Sequence, residues 1–294
     1  MATPLTADAL LAALHAEGVR TAEYRSWRTH NRNTRGAWGP VNGVMIHHTV
    51  TSGTDSSVAL CYDGRSDLPG PLCHGVIDKS GTVHLVGSGR ANHAGLGDDD
   101  VLAAVVAERA LPAPGENNTD GNVHFYGFEC VNLGDGRDPW PEAQLDAIAR
   151  TAAALCRAHG WHAASVIGHK EWTDTKIDPV GFTMASLRNR VAALLAAGPK
   201  GPAAGTPSPA ASHEPFPGAA FFTRRPRSAV VTAMGRRLVA EGCSRYTEGP
   251  GPQWTDADRN SYAAWQRKLG FSGADADGWP GRTSWDALKV PRTS

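Results

Sequence analysis

No apolar run in the sequence approaches the roughly 20 residues needed to span a bilayer, and neither charge is in excess. Lys and Arg total 29, as do Asp and Glu, in 294 residues. That balance excludes wholesale binding to nucleic acid or to an anionic membrane surface. No CxxC pair occurs, and the five cysteines (Cys61, Cys73, Cys130, Cys156 and Cys243) are an odd number. They read as reduced thiols in a protein made in the cytosol, mostly buried as small hydrophobes. The N-terminus, MATPLTADALLAALHAEG, lacks a basic segment and carries Asp8 and Glu17 inside its apolar pattern. It reads as an amphipathic helix capped by Thr6 and stopped by Gly18, so no signal peptide is expected. What is present, 41% apolar and 20% charged residues, is the composition of a globular protein with one sizeable core and a smaller second one.

The sharpest change in composition is AAGPKGPAAGTPSPAASHEPFPG at 196–218, whose Pro, Gly, Ala and Ser cannot build a core. It divides the chain into a first domain at 1–196, a linker at 197–215 and a second domain at 216–294. In the first domain, 43–48 is a short apolar run expected as a buried strand ending in histidines. HGVIDKSGTVHLV (74–86) predicts a strand pair turning at Lys79-Ser80-Gly81. HFYGFECVNL (124–133) predicts another strand, with Phe125, Gly127 and Glu129 on one face and Tyr126, Phe128 and Cys130 on the other. Pro141 opens a helix that Gly160 ends, and 164–168 follows as a strand delivering His169. Strand, helix and strand imply a crossover, so the fold class is α/β: a mixed central sheet with packed helices. The second domain is expected to be small and mainly helical, with helices over 228–241, from Thr255, and around Trp285.

Three fragments converge on one chemistry: His47 in VMIHHTV, His169 in IGHKEW and Asp178 in KIDPV. Two imidazoles and a carboxylate leave a Zn²⁺ with an open fourth position, the arrangement of a hydrolytic site rather than a structural one. Taken alone, a histidine on an apolar strand is more often a satisfied core residue than a ligand. His48 competes with His47, because alternation lets only one of them face a pocket.

VMIHHTV, CHGVIDKSGTVHLV, ANHAG, YGFECVNLG, the helix with Gln144, IGHKEW and KIDPVGF stand in this order. The ordered set resembles the zinc N-acetylmuramoyl-L-alanine amidases that share a fold with peptidoglycan recognition proteins, among them many phage endolysins. The resemblance runs from about Trp38 to Arg190. It implies that His47, rather than His48, binds zinc together with His169 and Asp178. It also implies that Lys176 stabilises the oxyanion and that Glu129 manages the proton reaching the L-alanine nitrogen. Without the resemblance, Lys176 reads as a solvated loop lysine and Glu129 as a strand-edge carboxylate. His93 matches a position near the substrate groove, so contact with glycan or stem peptide is implied. There are two departures. Cys73 precedes His74 where many relatives carry tyrosine, and Gly181 comes one residue later than their DPG.

In the second domain, EPFPGAAFF, AWQRKLGFSG and DADGWPGRTSWDAL resemble a peptidoglycan-binding module of wall-lytic enzymes from actinobacteria and their phages. Trp265 and Trp285 lie on helical patterns and read as core; Trp279, in a Gly-Pro turn, is the expected ligand contact. DADG lacks the later acidic ligands of a calcium loop and reads as a turn. The resulting expectation is a monomeric zinc amidase acting on bacterial peptidoglycan, with no nucleic-acid or membrane partner. It would be an endolysin of an actinobacterial host, made in the host cytoplasm and acting on the wall after release. The alternative of a different class is a non-catalytic peptidoglycan recognition protein of the same fold. A third, recycling of soluble muropeptides, fits poorly with a wall-binding module.

Overall fold

The structure, a computed structural model, describes residues 2–199, 213–271 and 273–293. Two units are resolved by their internal contacts, Met1–Ala204 and Gly205–Ser294. The first begins with α1 (Ala7–Ala16), where Thr6 Oγ1 accepts from the Ala9 N–H as the expected cap. A polar edge strand, β1 (Arg20–Glu23), leads to β2 (Gly43–His48), buried along its whole length. Then come α2 (Thr54–Asp63), the hairpin β3 (Gly75–Ile77) and β4 (Thr82–Leu85), and a small ladder of β5 (Leu96–Gly97) with β6 (Thr119–Asp120) around α3 (Asp99–Val106). The chain continues through β7 (Phe125–Cys130), α4 (Glu142–His159), β8 (Val166–Gly168), α5 (His169–Trp172) and α6 (Met184–Ala197).

Six strands form one mixed sheet in the order β1-β4-β3-β7-β2-β8. Only the β3–β4 hairpin is antiparallel; β7, β2 and β8 run parallel and side by side. Alternation sends Val44, Ile46, Tyr126 and Phe128 to one face, under α1, α4 and α6. It sends Met45, Phe125 and Ile167 to the other, under Val101 and Val105 of α3 and Trp172 of α5. Gln144 of α4 is buried and its Nε2 donates to the carbonyls of Ile77 and Val131, bracing β3 against the end of β7. All five cysteines are buried and free. Among the described residues, no helix is long and apolar enough to cross a membrane.

The expected strand at 164–168 is shorter than the sequence suggested. Residues Ala163–Ser165 form a 3-10 turn, tied down where Glu108 accepts from the Ser165 hydroxyl at 3.0 Å and bonds the His162 ring at 2.6 Å.

Among its described residues the second unit has four α-helices: α7 (Ala219–Thr223), α8 (Ala229–Ala240), α9 (Asp256–Lys268) and α10 (Arg282–Leu288). Thr255 and Asp258 close the capping box that TDAD spells. Phe222, Met234, Leu238, Trp254, Trp265 and Trp285 share its core. Most of the linker expected at 197–215 lies outside the described residues, but its two ends differ from composition. Ala197 still belongs to α6, and Glu214 is tied into the second unit, its N–H donating to the Val290 carbonyl at 2.6 Å.

Candidate metal centre

Strand register brings the chemistry level. In the parallel pairing, His47 of β2 lies opposite Glu129 of β7, and Ile46 lies opposite Gly168 of β8. Glu129 therefore shares a face with His47, and His169, the next residue after Gly168, follows beside them at the carboxyl ends of three adjacent strands. Asp178 arrives on the loop after α5. Lys170 holds that loop from both sides: its N–H donates to the Asp178 carbonyl at 2.8 Å and its Nζ to the Pro179 carbonyl at 2.6 Å.

His47 Nδ1, His169 Nδ1 and Asp178 Oδ2 form a nearly equilateral triangle with sides of 3.1, 3.0 and 3.2 Å. All three residues are buried. Among the described residues this is the one group of three side chains close enough to share a metal ion. The hydrogen bonds behind the triangle decide where the protons sit. A carbonyl only accepts, so His169 Nε2, 3.1 Å from the Ala94 oxygen, carries hydrogen and its Nδ1 presents a lone pair. The same holds for His93 Nε2, 2.9 Å from the Phe125 oxygen. His93 Nδ1 must then accept from His47 Nε2–H at 3.0 Å, which leaves His47 Nδ1 bare as well. Burial also favours the neutral ring, lowering the pKa of His47 to about 4 and that of His93 well below the ordinary imidazole value.

Three acceptors thus point at one another across about 3 Å. Such a set is satisfied by a cation. Bonds of about 2.0–2.1 Å would set tetrahedral ligand atoms roughly 3.3 Å apart, close to the sides observed. The donor set, two neutral imidazoles and one carboxylate, suits Zn²⁺ with a position left for water or substrate.

Glu129 stands beside this triangle in a different state. Part of its side chain reaches the surface, yet Oε2 is sealed from solvent and has no hydrogen-bond partner. Burial pushes its pKa up to about 8, the Asp178 charge adds to the rise, and Lys176 opposes it. Lys176 itself is exposed and makes no hydrogen bond or ion pair among the described residues, but it lies near enough to act on both Glu129 and His47. The face therefore carries an anionic ligand set, a protonated acid and an unpaired cation.

Other expected positions differ. His48 turns away from the triangle: its ring Nδ1 accepts from the Val180 N–H at 3.3 Å, and a Cβ at Gly134 would collide with it. Of the two histidines, His47 is the one that faces the triangle. His93, read as a substrate contact, is buried behind His47 with both ring nitrogens engaged, so it has no atom to offer a ligand. Its ring lies where a side chain on Gly127 would be, which is why glycine stands there. Cys73 is buried beside Cys61 under α2, its thiol pushed well up by burial. Gly181 takes a φ of +101° and packs against Trp140, whose Nε1 donates to the Val180 carbonyl at 2.8 Å. That is how the loop accommodates the extra residue in DPVG. Trp279 is half-buried, stacked on Trp254 with centroids 5.6 Å apart and planes at 11°, with the Arg259 guanidinium 4.9 Å from its ring centre. Sequence reading missed Asn122 and the Ala94 carbonyl; a backbone carbonyl has no sequence signature.

Residues 37–181 match the N-acetylmuramoyl-L-alanine amidase family. The chain carries a domain of that family. The amidase domain spans every residue of the site: His47, Glu129, His169, Lys176 and Asp178. No curated protein matches the chain. Solved structures are similar at low identity, three of them as follows. The endolysin amidase LysCS of Clostridium intestinale is 16% identical, covering 58% of this chain and 95% of its own, with a TM-score of 0.40. Drosophila PGRP-LB in complex with tracheal cytotoxin is 15% identical over 58% and 95%, with a TM-score of 0.39. AmiD of E. coli, in complex with an anhydro-N-acetylmuramic acid peptide, is 16% identical over 88% and 91%, with a TM-score of 0.39.

Proposed function

We propose that this chain is a zinc-dependent peptidoglycan hydrolase that cuts the amide between the lactyl group of N-acetylmuramic acid and L-alanine. The observation that carries the reading is the triangle of bare acceptors on His47, His169 and Asp178 with a protonated, unpartnered Glu129 alongside. Zinc held by those three residues would polarise the amide carbonyl and lower the pKa of a water toward 7. Burial raises the pKa of Glu129 above the usual carboxylate range in the metal-free site, which suits it to carry a proton to the alanine nitrogen as the C–N bond breaks. Lys176, with no competing partner, is free to turn its ammonium toward the oxygen on which negative charge develops. Lys170 keeps Asp178 in place while charge redistributes around it.

The second unit, through its resemblance to wall-binding modules, is assigned the role of tether, with Trp279 as the candidate glycan contact. An endolysin of an actinobacterial host, made in the host cytoplasm and acting on the wall after release, is the biological setting this combination suits. The deciding experiment is digestion of purified peptidoglycan by zinc-loaded protein, with products followed by mass spectrometry beside an Asp178→Ala control. Stem peptides beginning at L-alanine, absent in the control, are the expected result. Wall binding with no released peptide in either sample would sink the enzyme reading and leave a recognition protein.

A further inference from the structure

The backs of both metal-facing histidines end on one dipeptide. His47 Nε2–H donates to the His93 ring, and His169 Nε2–H donates to the carbonyl of the next residue, Ala94. That dipeptide is in turn held by one side chain: Asn122 Oδ1 accepts from the N–H of His93 at 2.8 Å and from the N–H of Ala94 at 2.9 Å. Asn122 is buried, and its own N–H donates to Asp120 Oδ1 at 3.0 Å, with Asp120 paired to Arg90. Behind His93, the Phe125 carbonyl closes the chain of bonds on the sheet.

We propose that His93 and Asn122 are positioning residues for the metal centre, with Asn122 fixing both histidine ligands through the single segment His93-Ala94. The inference rests on the zinc reading above and goes beyond it by saying what holds the site open for the ion. Two consequences distinguish it from ordinary packing. Loss of the His93 ring frees the His47 tautomer, so Nδ1 no longer has to present a lone pair. Loss of Asn122 releases two buried backbone N–H groups and shifts both ligands together, although Asn122 touches neither. Outer groups of this kind commonly change metal affinity by about 10–100-fold.

Substitutions can separate hydrogen bonding from shape. His93→Leu removes the acceptor, whereas His93→Gln keeps an oxygen for His47 and an amide N–H for Phe125. Asn122→Ala removes the acceptor, whereas Asn122→Asp keeps it; the amide nitrogen so lost makes no hydrogen bond among the described residues. Gln144→Leu serves as a control, removing buried hydrogen bonds on the opposite face of the sheet.

The measurement is zinc affinity of the full chain by competition with a chromophoric chelator, with the visible spectrum of the Co²⁺-substituted protein as a second readout. Melting of each metal-free variant reports folding separately. The expected result is a 10–100-fold weaker affinity and an altered Co²⁺ spectrum for His93→Leu and Asn122→Ala. His93→Gln and Asn122→Asp should recover most of the affinity, and Gln144→Leu should keep the wild-type value. Wild-type affinity in His93→Leu and Asn122→Ala would overturn the inference, as would an equal loss in Gln144→Leu. A wild-type chain that binds no zinc would overturn the metal reading itself, and this inference with it.

Discussion

Glu129 is a carboxyl group kept protonated by its surroundings, and the sign of its effect on stability follows. Its folded pKa of about 8 lies above the value near 4.3 expected when unfolded. The folded state therefore holds a proton that the unfolded chain releases between those two values. The stability it contributes is fully present below about pH 4 and is lost as pH rises through 8. In the metal-free protein, Glu129→Gln should erase this slope. The melting temperature of the variant relative to wild type is expected to climb from pH 5 to pH 8.5, and a difference independent of pH would refute the assignment. In the loaded enzyme the same substitution should cost about 10²–10⁴-fold in kcat, because an amide cannot hand over the proton. At this scale much was legible in the sequence: alternation along 124–133 already set Glu129 on the opposite face from Cys130, and the ordered motifs named His47, His169 and Asp178, which the fold brings within 3.2 Å of one another. His93 was visible as a residue but not in its role, since only the fold shows which neighbours satisfy its two nitrogens.

The elements that build the site are short, and their ends matter more than their interiors. Just past β2, Val50 adopts a φ of +53° and is 66% exposed. A β-branched residue in the left-handed region is strained, and exposure gives it little packing to offset the cost. Val50→Gly is therefore expected to stabilise the fold by roughly 1 kcal/mol despite glycine's greater unfolded freedom. Urea denaturation checks this, and a loss of stability would show that Val50 packs better than its exposure implies. The same reasoning explains what the sequence hid. Strong signals, such as the Thr255 cap and the 141–160 helix, match elements found in the fold. By contrast β1 has four mostly polar residues on a sheet edge, and α2 starts after an uncapped Gly53 and mixes polar with apolar residues around its circumference. Neither pattern differs from a loop until a neighbouring strand or sheet face supplies the other half of the contact.

At the scale of the molecule, each unit has a core of its own, one around the mixed sheet and one around the tryptophans of the helical module. Chemistry and tethering should therefore be separable. A chain ending at residue 199 is expected to bind zinc and to cleave a soluble muropeptide at the full-length rate. On insoluble wall it should be slower by about 10-fold or more, because the effective concentration supplied by the second unit is gone. Equal rates of the two forms on insoluble wall would remove the tether from the account. Composition marks 197–215 as a linker, whereas Ala197 lies in α6 and Glu214 is bonded within the second unit. Proline and alanine content cannot show that Glu214 is already hydrogen-bonded to Val290.

The glycine opposite His93 carries an implication for descent. Because the ring fills the volume a methyl group at position 127 would need, no lineage keeping this histidine can acquire alanine there without displacing it. The reverse order is open: once the ring is lost, a larger residue at 127 can refill the space. Homologous sequences should therefore carry histidine at 93 only together with glycine at 127, glycine without the histidine being the intermediate state, and the order of the two replacements should be the same on every branch.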